Sequence, residues 1–240
     1  MKKSISLLEK YWIDEIGCQF SDLQAKRVKV CAHGKTLEGY SGIIFFRKGD
    51  ACIASAPRSL VSEISEKISD KNPETVFNTD FLADLLGSRV NHIIGPAWVG
   101  QIDDGHFRPC HASESRELTE ADHEVFSTFI RSCTETEVAH SSLEWGYRPM
   151  IGTFEGKKLA AVAGYKVLEN ILAHIGVLAD PRFRGKGYAR KAVSHITAMA
   201  LHTDLGVQYQ TLVSNSSSVA LAQKIGFAQF AQTIAVRLNS

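Results

Sequence analysis

The chain has 240 residues, of which 44% are hydrophobic and 22% are charged, as in ordinary globular proteins with a substantial core. Its 27 lysines and arginines and 26 acidic residues leave a net charge of +1, which argues against nucleic acid or an anionic membrane as a partner. The amino terminus lacks the apolar run of a secretory signal, and no later run approaches the length of a transmembrane helix, so a cytoplasmic location is expected.

Residues 1–108 predict an additional amino-terminal α/β domain, to which the sequence assigns no role. Apolar residues at helical spacing indicate a helix over residues 1–12. Further elements are predicted as strands at 28–32, 40–47 and 52–56, helices at 60–68 and from Asn78 to Gly87, and a strand at 92–99 that Gly95 and Pro96 interrupt.

Residues 109–240 predict a second domain of mixed strands and helices. A strand at 110–118 leads to Thr119 and Asp122, a helix-start pattern with aspartate in place of the usual glutamate or glutamine. Its helix extends to residue 132, and weak periodicity follows over 133–148. A hairpin with strands at 150–154 and 158–167 turns at Glu155 and Gly156, and a strand at 170–179 comes next.

A basic loop with two glycines joins that strand to a further helix. The loop reads Arg182-Phe183-Arg184-Gly185-Lys186-Gly187-Tyr188, and apolar residues recur at helical spacing after it. Glycines allow backbone conformations that are closed to other residues, so successive N–H groups can meet an anion at the positive end of the helix. The loop therefore predicts a phosphate-binding site.

Spacing excludes two familiar phosphate motifs for this loop. A P-loop needs a wider spacing between its glycines and then Lys-Ser or Lys-Thr, whereas one residue separates Gly185 from Gly187 and Tyr188 follows. A dinucleotide-binding fingerprint needs a third glycine where Arg190 stands. The remaining pattern, Arg-x-x-Gly-x-Gly, resembles the acyl-CoA pyrophosphate loop of the GNAT superfamily of N-acyltransferases.

A second segment resembles the same family. Asn215 follows a predicted strand at 209–213 and opens a short helix that closes with Lys224-Ile225-Gly226-Phe227. The resemblance covers roughly residues 111 to 240. It implies an α/β (α+β) structure of the GNAT type, with a mixed, mainly antiparallel sheet flanked by helices.

The resemblance also implies acetyl-CoA as cosubstrate, bound where the strands ending near 179 and 213 separate. The pantetheine arm would meet the main chain of Val177, Leu178 and Ala179. The pyrophosphate would meet backbone N–H groups of Arg182, Phe183, Arg184, Gly185, Lys186, Gly187 and Tyr188, while Asn215 would contact the cofactor arm. Arg184 and Lys186 would add positive charge beside the phosphates.

The reaction that the resemblance implies is direct attack of a primary amine on the thioester carbonyl, which needs a base for the amine and a proton for the leaving thiolate. His174 lies near the position where some family members carry a glutamate base, and imidazole ordinarily titrates in the useful range. Glu144 and Glu137 are further candidates. Ala222 stands where many members have a tyrosine that protonates the sulfur, and Gln210 stands where some have a catalytic glutamate.

These departures leave two interpretations open. The chain is an N-acetyltransferase in which water, Tyr188, Tyr209 or a serine of residues 214–218 supplies the proton, or it is a non-catalytic acyl-CoA-binding sensor or interaction module. A nucleotide-phosphate binder outside the family is a third interpretation. The transferase is expected to act on a small-molecule amine rather than a protein, and a homodimer is compatible with the sequence. No metal is expected, because the cysteines form no Cys-x-x-Cys pair and the histidines no convincing ligand pattern.

Overall fold

The computed structural model describes residues 3–110, 113–146 and 149–239. The chain divides into two compact units. The first unit comprises Met1–Leu8, Gln101–Gln210 and Ser217–Ala228, and the second comprises Glu9–Gly100, Thr211–Ser216 and Gln229–Ser240. Each unit is assembled from separate segments, whereas the predicted domains 1–108 and 109–240 are continuous, and that domain boundary stays a prediction.

The helices are α1 (Lys3–Ile16), α2 (Val61–Ile68), α3 (Pro73–Val76), α4 (Thr79–Leu86), α5 (His123–Ile130), α6 (Glu135–Ser141), α7 (Tyr188–Leu201) and α8 (Ser216–Ile225). The strands are β1 (Val28–Ala32), β2 (Ile43–Lys48), β3 (Ala51–Ala56), β4 (Val90–Ile102), β5 (Ser115–Glu117), β6 (Met150–Glu155), β7 (Lys158–Leu168), β8 (Leu172–Ala179), β9 (Gly206–Leu212) and β10 (Ala228–Leu238). Within the described ranges, none of these helices has both the length and the apolar character that crossing a bilayer requires.

The strands of the first unit are ordered β9-β8-β7-β6-β5. β8 and β9 are parallel, and the other neighbours are antiparallel. α7 packs against β6, β7 and β8, while α5 packs against β7 and α6 against β8. Apolar side chains such as Phe126 and Phe129 of α5 form a core with Val162 and Leu178 of the sheet. These observations confirm the predicted mixed, mainly antiparallel sheet flanked by helices.

The second unit has the strand order β1-β3-β2-β10-β4. β1 is parallel to β3, whereas β2 is antiparallel to both β3 and β10. Its core combines Phe45 of β2 and Ile64 of α2 with Leu82 of α4 and Ile234 of β10. The amino-terminal region is therefore α/β structure, as predicted, and the last strand of the chain completes it.

Local start and turn signals are confirmed at several places. Asn78 Oδ1 accepts hydrogen bonds from the N–H groups of Asp80 and Phe81, both at 3.0 Å, and so caps α4. Thr119 and Asp122 form the reciprocal capping box that their spacing predicts. β6 and β7 form the predicted hairpin, with Glu155 opposite Lys158.

Three element predictions differ from the structure. β4 is one uninterrupted strand that includes Gly95 and Pro96. Pro96 cannot donate a backbone hydrogen bond because it lacks an N–H, but its carbonyl oxygen accepts one from the N–H of Val213 at 2.8 Å. The strand predicted at 110–118 is shorter, since β5 spans only Ser115–Glu117. The segment at 133–148 contains α6, whose start is capped by Thr134. The predicted helix at 1–12, strand at 110–118 and segment at 133–148 each include two residues outside the described ones, namely 1 and 2, 111 and 112, and 147 and 148.

Candidate functional site

The pairing of strands β8 and β9 stops before the end of β8. Their parallel pairing ends where Ile175 lies opposite Tyr209, and β8 then continues to Ala179. Over residues 176–179, β8 stays paired with β7 on its other side. The β9-facing edge of this stretch has no strand partner within the described ranges, so it can accept an extended, amide-bearing ligand as an added strand. The predicted pantetheine-binding residues Val177, Leu178 and Ala179 lie on this edge.

Asp180 shapes the loop that follows β8. Its side chain is inaccessible to solvent, and its Oδ1 accepts from the backbone N–H of Arg182 at 2.9 Å and from Arg182 Nε at 3.0 Å. The hydrogen bond from the Arg182 guanidinium holds the pKa of Asp180 down at about 2. The N–H of Phe183 donates to the carbonyl oxygen of Asp180 at 2.9 Å. The N–H groups of Arg182 and Phe183, predicted as phosphate donors, are thus already bonded within the loop.

The backbone N–H groups from Arg184 to Tyr188 have no hydrogen-bond partner among the residues that the structure describes. They lead into α7, a helix of 14 residues whose amino-terminal end carries the positive end of the helix dipole. Gly185 and Gly187 adopt φ values of +77° and +85°, and a Cβ added at either position would meet nothing within 4 Å. Unpaired donors, a helix terminus and open space therefore coincide, which suits the predicted binding of phosphate.

Two cations of the loop are paired with carboxylates from elsewhere in the first unit. Arg184 Nη2 lies 2.8 Å from Glu137 Oε1, and Lys186 Nζ lies 3.1 Å from Glu155 Oε1. Tyr188 donates its hydroxyl hydrogen to the same oxygen of Glu155 at 2.9 Å. The side chains of Arg184 and Lys186 are about half exposed, at 46% and 51%, so these ion pairs are weak enough for a phosphate to replace the carboxylates.

Arg184 also contacts the end of β8. Its Nε and Nη2 donate to the carbonyl oxygen of Ala179 at 3.2 and 3.1 Å. A ligand arm that bonds to this carbonyl must therefore share the oxygen with the guanidinium or displace it.

His174 lies on β8, between Lys166 of β7 and Gln208 of β9. Its Nδ1 is 3.0 Å from Gln208 Nε2, and because an amide N–H can only donate, Nδ1 accepts this hydrogen bond. Burial, reinforced by the positive charge of Lys166, lowers the pKa of His174 to about 4. The expectation that this imidazole titrates near neutrality is therefore wrong. The side chain is neutral at pH 7 and carries its proton on Nε2, and its role as a base stays a prediction.

The other predicted residues belong to neither β8 nor the glycine loop. Glu144 is exposed in the segment between α6 and β6. Glu137 belongs to the first turn of α6, where the N–H of Thr134 donates to its carboxylate and lowers its pKa. Asn215 is exposed immediately before α8 and belongs to the second unit. The first unit thus contains His174, Glu144 and the glycine loop, and it brings Glu137 into an ion pair with Arg184 of that loop.

The α8 segment carries a hydroxyl pair near the position where the expected tyrosine is missing. Ala222 is fully buried, and Ser218 precedes it by one helical turn. The Tyr209 hydroxyl lies 2.8 Å from Ser218 Oγ, and burial raises the pKa of Tyr209 to about 12.

Three features of the site are not predicted from the sequence, namely Asp180, Gln208 and the pairing of Tyr209 with Ser218. Asp180 precedes Pro181, and an aspartate directly before a proline is a helix-start signal that would have identified it. The other contacts have no local signal, because they depend on which residues two neighbouring strands and a later helix place side by side.

Comparison with known proteins identifies the segment that contains this site. Residues 115–227 match the model of the acetyltransferase (GNAT) family. No curated protein matches the chain significantly. An acetyltransferase from the GNAT family of Colwellia psychrerythraea matches with a TM-score of 0.50 and 16% identity, over 67% of this chain and 62% of its own. This chain therefore spans less than two thirds of the length of that relative.

Two further solved structures are similar. A GNAT-family protein from Novosphingobium aromaticivorans has a TM-score of 0.49 and 22% identity, over 63% of this chain and 68% of its own. A Salmonella typhimurium protein, described with its cofactor acetyl-CoA, has a TM-score of 0.40 and 16% identity, over 52% of this chain and 94% of its own. The family model begins at β5 and ends just after α8, so it includes the separating strands and the glycine loop. Residues 115–227 of this protein are a domain of the GNAT acetyltransferase family.

Proposed function

We propose that the protein is an N-acetyltransferase that transfers the acetyl group of acetyl-CoA to a primary amine by direct attack. The observation that carries this proposal is the row of N–H groups from Arg184 to Tyr188, which lack a partner within the described part of the chain and directly follow the edge of β8 that β9 leaves unpaired. Phosphate oxygens need such donors, and an amide-bearing arm needs such an edge. Acetyl-CoA has both groups and supplies an activated thioester.

Two segments of the first unit would bind different parts of acetyl-CoA. The main chain of residues 177–179 would hold the amide-bearing arm, and the N–H groups of residues 184–188 would hold the pyrophosphate. Lys186 would exchange Glu155 for a phosphate oxygen, which costs little because the ion pair is exposed.

The protonation state of His174 determines how the acceptor amine can lose its proton. An alkylammonium group has a pKa of about 10.4, so an imidazole of pKa about 4 is far too weak a base to remove its proton. We therefore propose that the acceptor reacts after losing its proton to water, and that neutral His174 offers its Nε2–H as a hydrogen-bond donor. We further propose a small-molecule amine rather than a protein as acceptor, no nucleic acid or membrane partner, a cytoplasmic location and a homodimeric state.

Isothermal titration with acetyl-CoA, with ATP as the control ligand, tests the proposal when combined with thiol release over a panel of amines. Binding of acetyl-CoA together with amine-dependent thiol release is the expected result. Tight binding without release would favour the acyl-CoA sensor, which the buried methyl group of Ala222 also suggests. Equal binding of ATP would favour a nucleotide-phosphate site, and absence of binding would overturn the proposal.

A double variant tests the position of the site. Gly185→Asp with Gly187→Asp adds bulk and negative charge where the pyrophosphate is proposed, and should weaken binding of CoA by about a hundredfold or more. The matched control is Gly39→Asp with Gly49→Asp, since these glycines have φ values of +81° and +58° and open space within 4 Å. Both double variants should lose similar stability through backbone strain, and only the first should lose binding.

A further inference from the structure

A row of three polar side chains crosses neighbouring strands of the first unit. Lys166 of β7 lies opposite His174 of β8, and His174 lies opposite Gln208 of β9. Residues that lie opposite one another in a sheet project their side chains from the same face. One further pair, Ile175 with Tyr209, follows before the pairing of β8 and β9 stops. The polar row therefore lies just before the stretch of β8 that is proposed to hold acetyl-CoA.

Two hydrogen-bond donors of the polar row have no acceptor among the residues that the structure describes. The Lys166 ammonium is exposed and forms no ion pair with them, since Glu169, the nearest acidic residue along the chain, does not pair with it. His174 is only partly buried. Its Nδ1 accepts from Gln208, so its proton lies on Nε2, for which the described part of the chain supplies no acceptor. A cation and a neutral N–H donor are thus both available to a ligand.

These two donors match the two oxygens of a carboxylate. The Cβ atoms of directly opposite residues are about 4.5–5.5 Å apart, so one oxygen can accept from the ammonium and the other from the imidazole N–H. An acceptor whose only charge is an ammonium group would instead meet the positive charge of Lys166, and neither His174 nor Gln208 offers a negative charge to offset it. The polar row therefore favours an amine that also carries a carboxylate.

The amine of such a ligand can reach the proposed position of the acetyl group. Residues rise by about 3.3 Å along a strand, so Gly176, where the edge of β8 that β9 leaves unpaired begins, lies about 7 Å from His174. A chain of a few methylene groups between the carboxylate and the amine spans that distance.

We propose that Lys166 and the Nε2–H of His174 bind the carboxylate of the acceptor, so that the acceptor is a small amino acid with a few methylene groups between its carboxylate and its amine. Gln208 is the positioning residue that keeps the proton of His174 on Nε2. This inference rests on the proposed acetyl transfer and names the chemical class of its acceptor.

Binding of γ-aminobutyrate to the full-length protein saturated with CoA tests the carboxylate site without turnover. Calorimetric titration should give weaker binding for γ-aminobutyramide, which has the same length and no negative charge. Lys166→Met should weaken the binding of γ-aminobutyrate by about threefold to tenfold, whereas Lys166→Arg, which keeps the charge, should retain it. His174→Leu removes the N–H donor and should weaken binding by about tenfold. Lys10→Met, which removes an exposed charge from α1, is the control that should have no effect.

Acetyl transfer gives the second readout. Glycine, β-alanine and γ-aminobutyrate are each compared with their carboxamide at one pH, as the ratio of the two kcat/KM values. Comparison of this ratio between proteins cancels the intrinsic reactivity of the amines. The ratio should fall by about threefold to tenfold in Lys166→Met, through a higher KM for the amino acid, and should fall further in Lys166→Glu through charge repulsion. Lys10→Met should keep the wild-type ratio.

The outcomes separate this inference from the proposed function. If CoA binds and acetyl transfer proceeds, but Lys166→Met leaves the ratio unchanged for all three pairs, the carboxylate site is overturned and the transferase stands. If γ-aminobutyrate binds with the expected dependence on Lys166 but no amine is acetylated, the proposed function is overturned and the carboxylate site stands. If no amine is acetylated and no binding that depends on Lys166 is observed, both are overturned.

Discussion

The carboxylate of Asp180 holds the guanidinium of Arg182 at the start of the glycine loop, with Arg182 Nε 3.0 Å from Asp180 Oδ1. The same carboxylate oxygen accepts the backbone N–H of Arg182 at 2.9 Å. The first arginine of the Arg-x-x-Gly-x-Gly pattern is therefore engaged in shaping the loop. We therefore propose that phosphate binding falls instead to the N–H groups that follow Phe183.

Asp180→Asn tests this division of roles. Asparagine has nearly the same volume but loses the charge that holds Arg182, so the loop should relax away from its binding geometry. We expect the affinity for CoA to fall about tenfold and the free energy of unfolding to fall by about 1–2 kcal/mol, a modest value because Arg182 is 62% exposed. Calorimetric titration and urea unfolding measure the two effects. Asp84→Asn, at an exposed position of α4, is the control, and unchanged CoA affinity in Asp180→Asn would refute the shaping role.

Glu155 is expected to compete with the phosphates for Lys186. Its Oε1 lies 3.1 Å from Lys186 Nζ and accepts from the Tyr188 hydroxyl, and the Lys186 hydrogen bond is the main reason that the pKa of Glu155 is lowered. Glu155→Gln should therefore raise the affinity for CoA by roughly twofold to fivefold at low salt, and the gain should vanish at high salt. Glu117→Gln, an exposed carboxylate on β5, should have no effect. Weaker binding in Glu155→Gln would show instead that Glu155 holds the loop in its binding shape.

Local patterns predicted most elements of the fold but not the strand that closes the second unit. The hairpin of β6 and β7 and the capping box at Thr119 depend on residues close together in sequence, and both are confirmed. β10 pairs with β2, so that Ile234 lies opposite Phe45. The pairing of β10 with β2 joins positions almost 190 residues apart, and no local pattern says which distant strand is its neighbour, so the predicted domains are continuous segments.

The candidate site was predictable to the extent that it lies in one stretch of chain. The glycine loop between β8 and α7 has the predicted left-handed glycines and the predicted place before a helix. The partners of its cations come from distant positions, such as Glu155 for Lys186, and no spacing rule connects them. The low pKa of His174 has the same origin, because it depends on burial between β7 and β9 and not on neighbours in sequence.

The pH dependence of catalysis should follow the acceptor rather than His174. The imidazole is neutral throughout the range above pH 5, whereas an alkylamine is uncharged in only roughly one molecule in 2,500 at pH 7. We expect kcat/KM to rise steadily with pH and to level off near the pKa of the amine, with a lower plateau pH for a less basic acceptor. Two acceptors of different basicity provide the comparison. A bend in the plot of kcat/KM against pH between about pH 6 and 7 that disappears in His174→Gln would contradict this prediction. It would indicate that His174 acts as a base.

His174 should also make the stability of the protein depend on pH. Its pKa is about 4 in the folded protein and about 6.5 in the unfolded chain, so between these values the unfolded chain binds a proton that the folded protein does not. The contribution of His174 to the free energy of unfolding is therefore present above pH 6.5 and is lost as the pH falls towards 4. This loss amounts to about 2 kcal/mol between pH 7 and pH 5. Urea unfolding at these two pH values should show a smaller loss for His174→Gln than for the wild type. His92→Gln, which changes an exposed histidine of β4, should retain the wild-type loss, and equal losses in all three proteins would mean that His174 titrates normally in the fold.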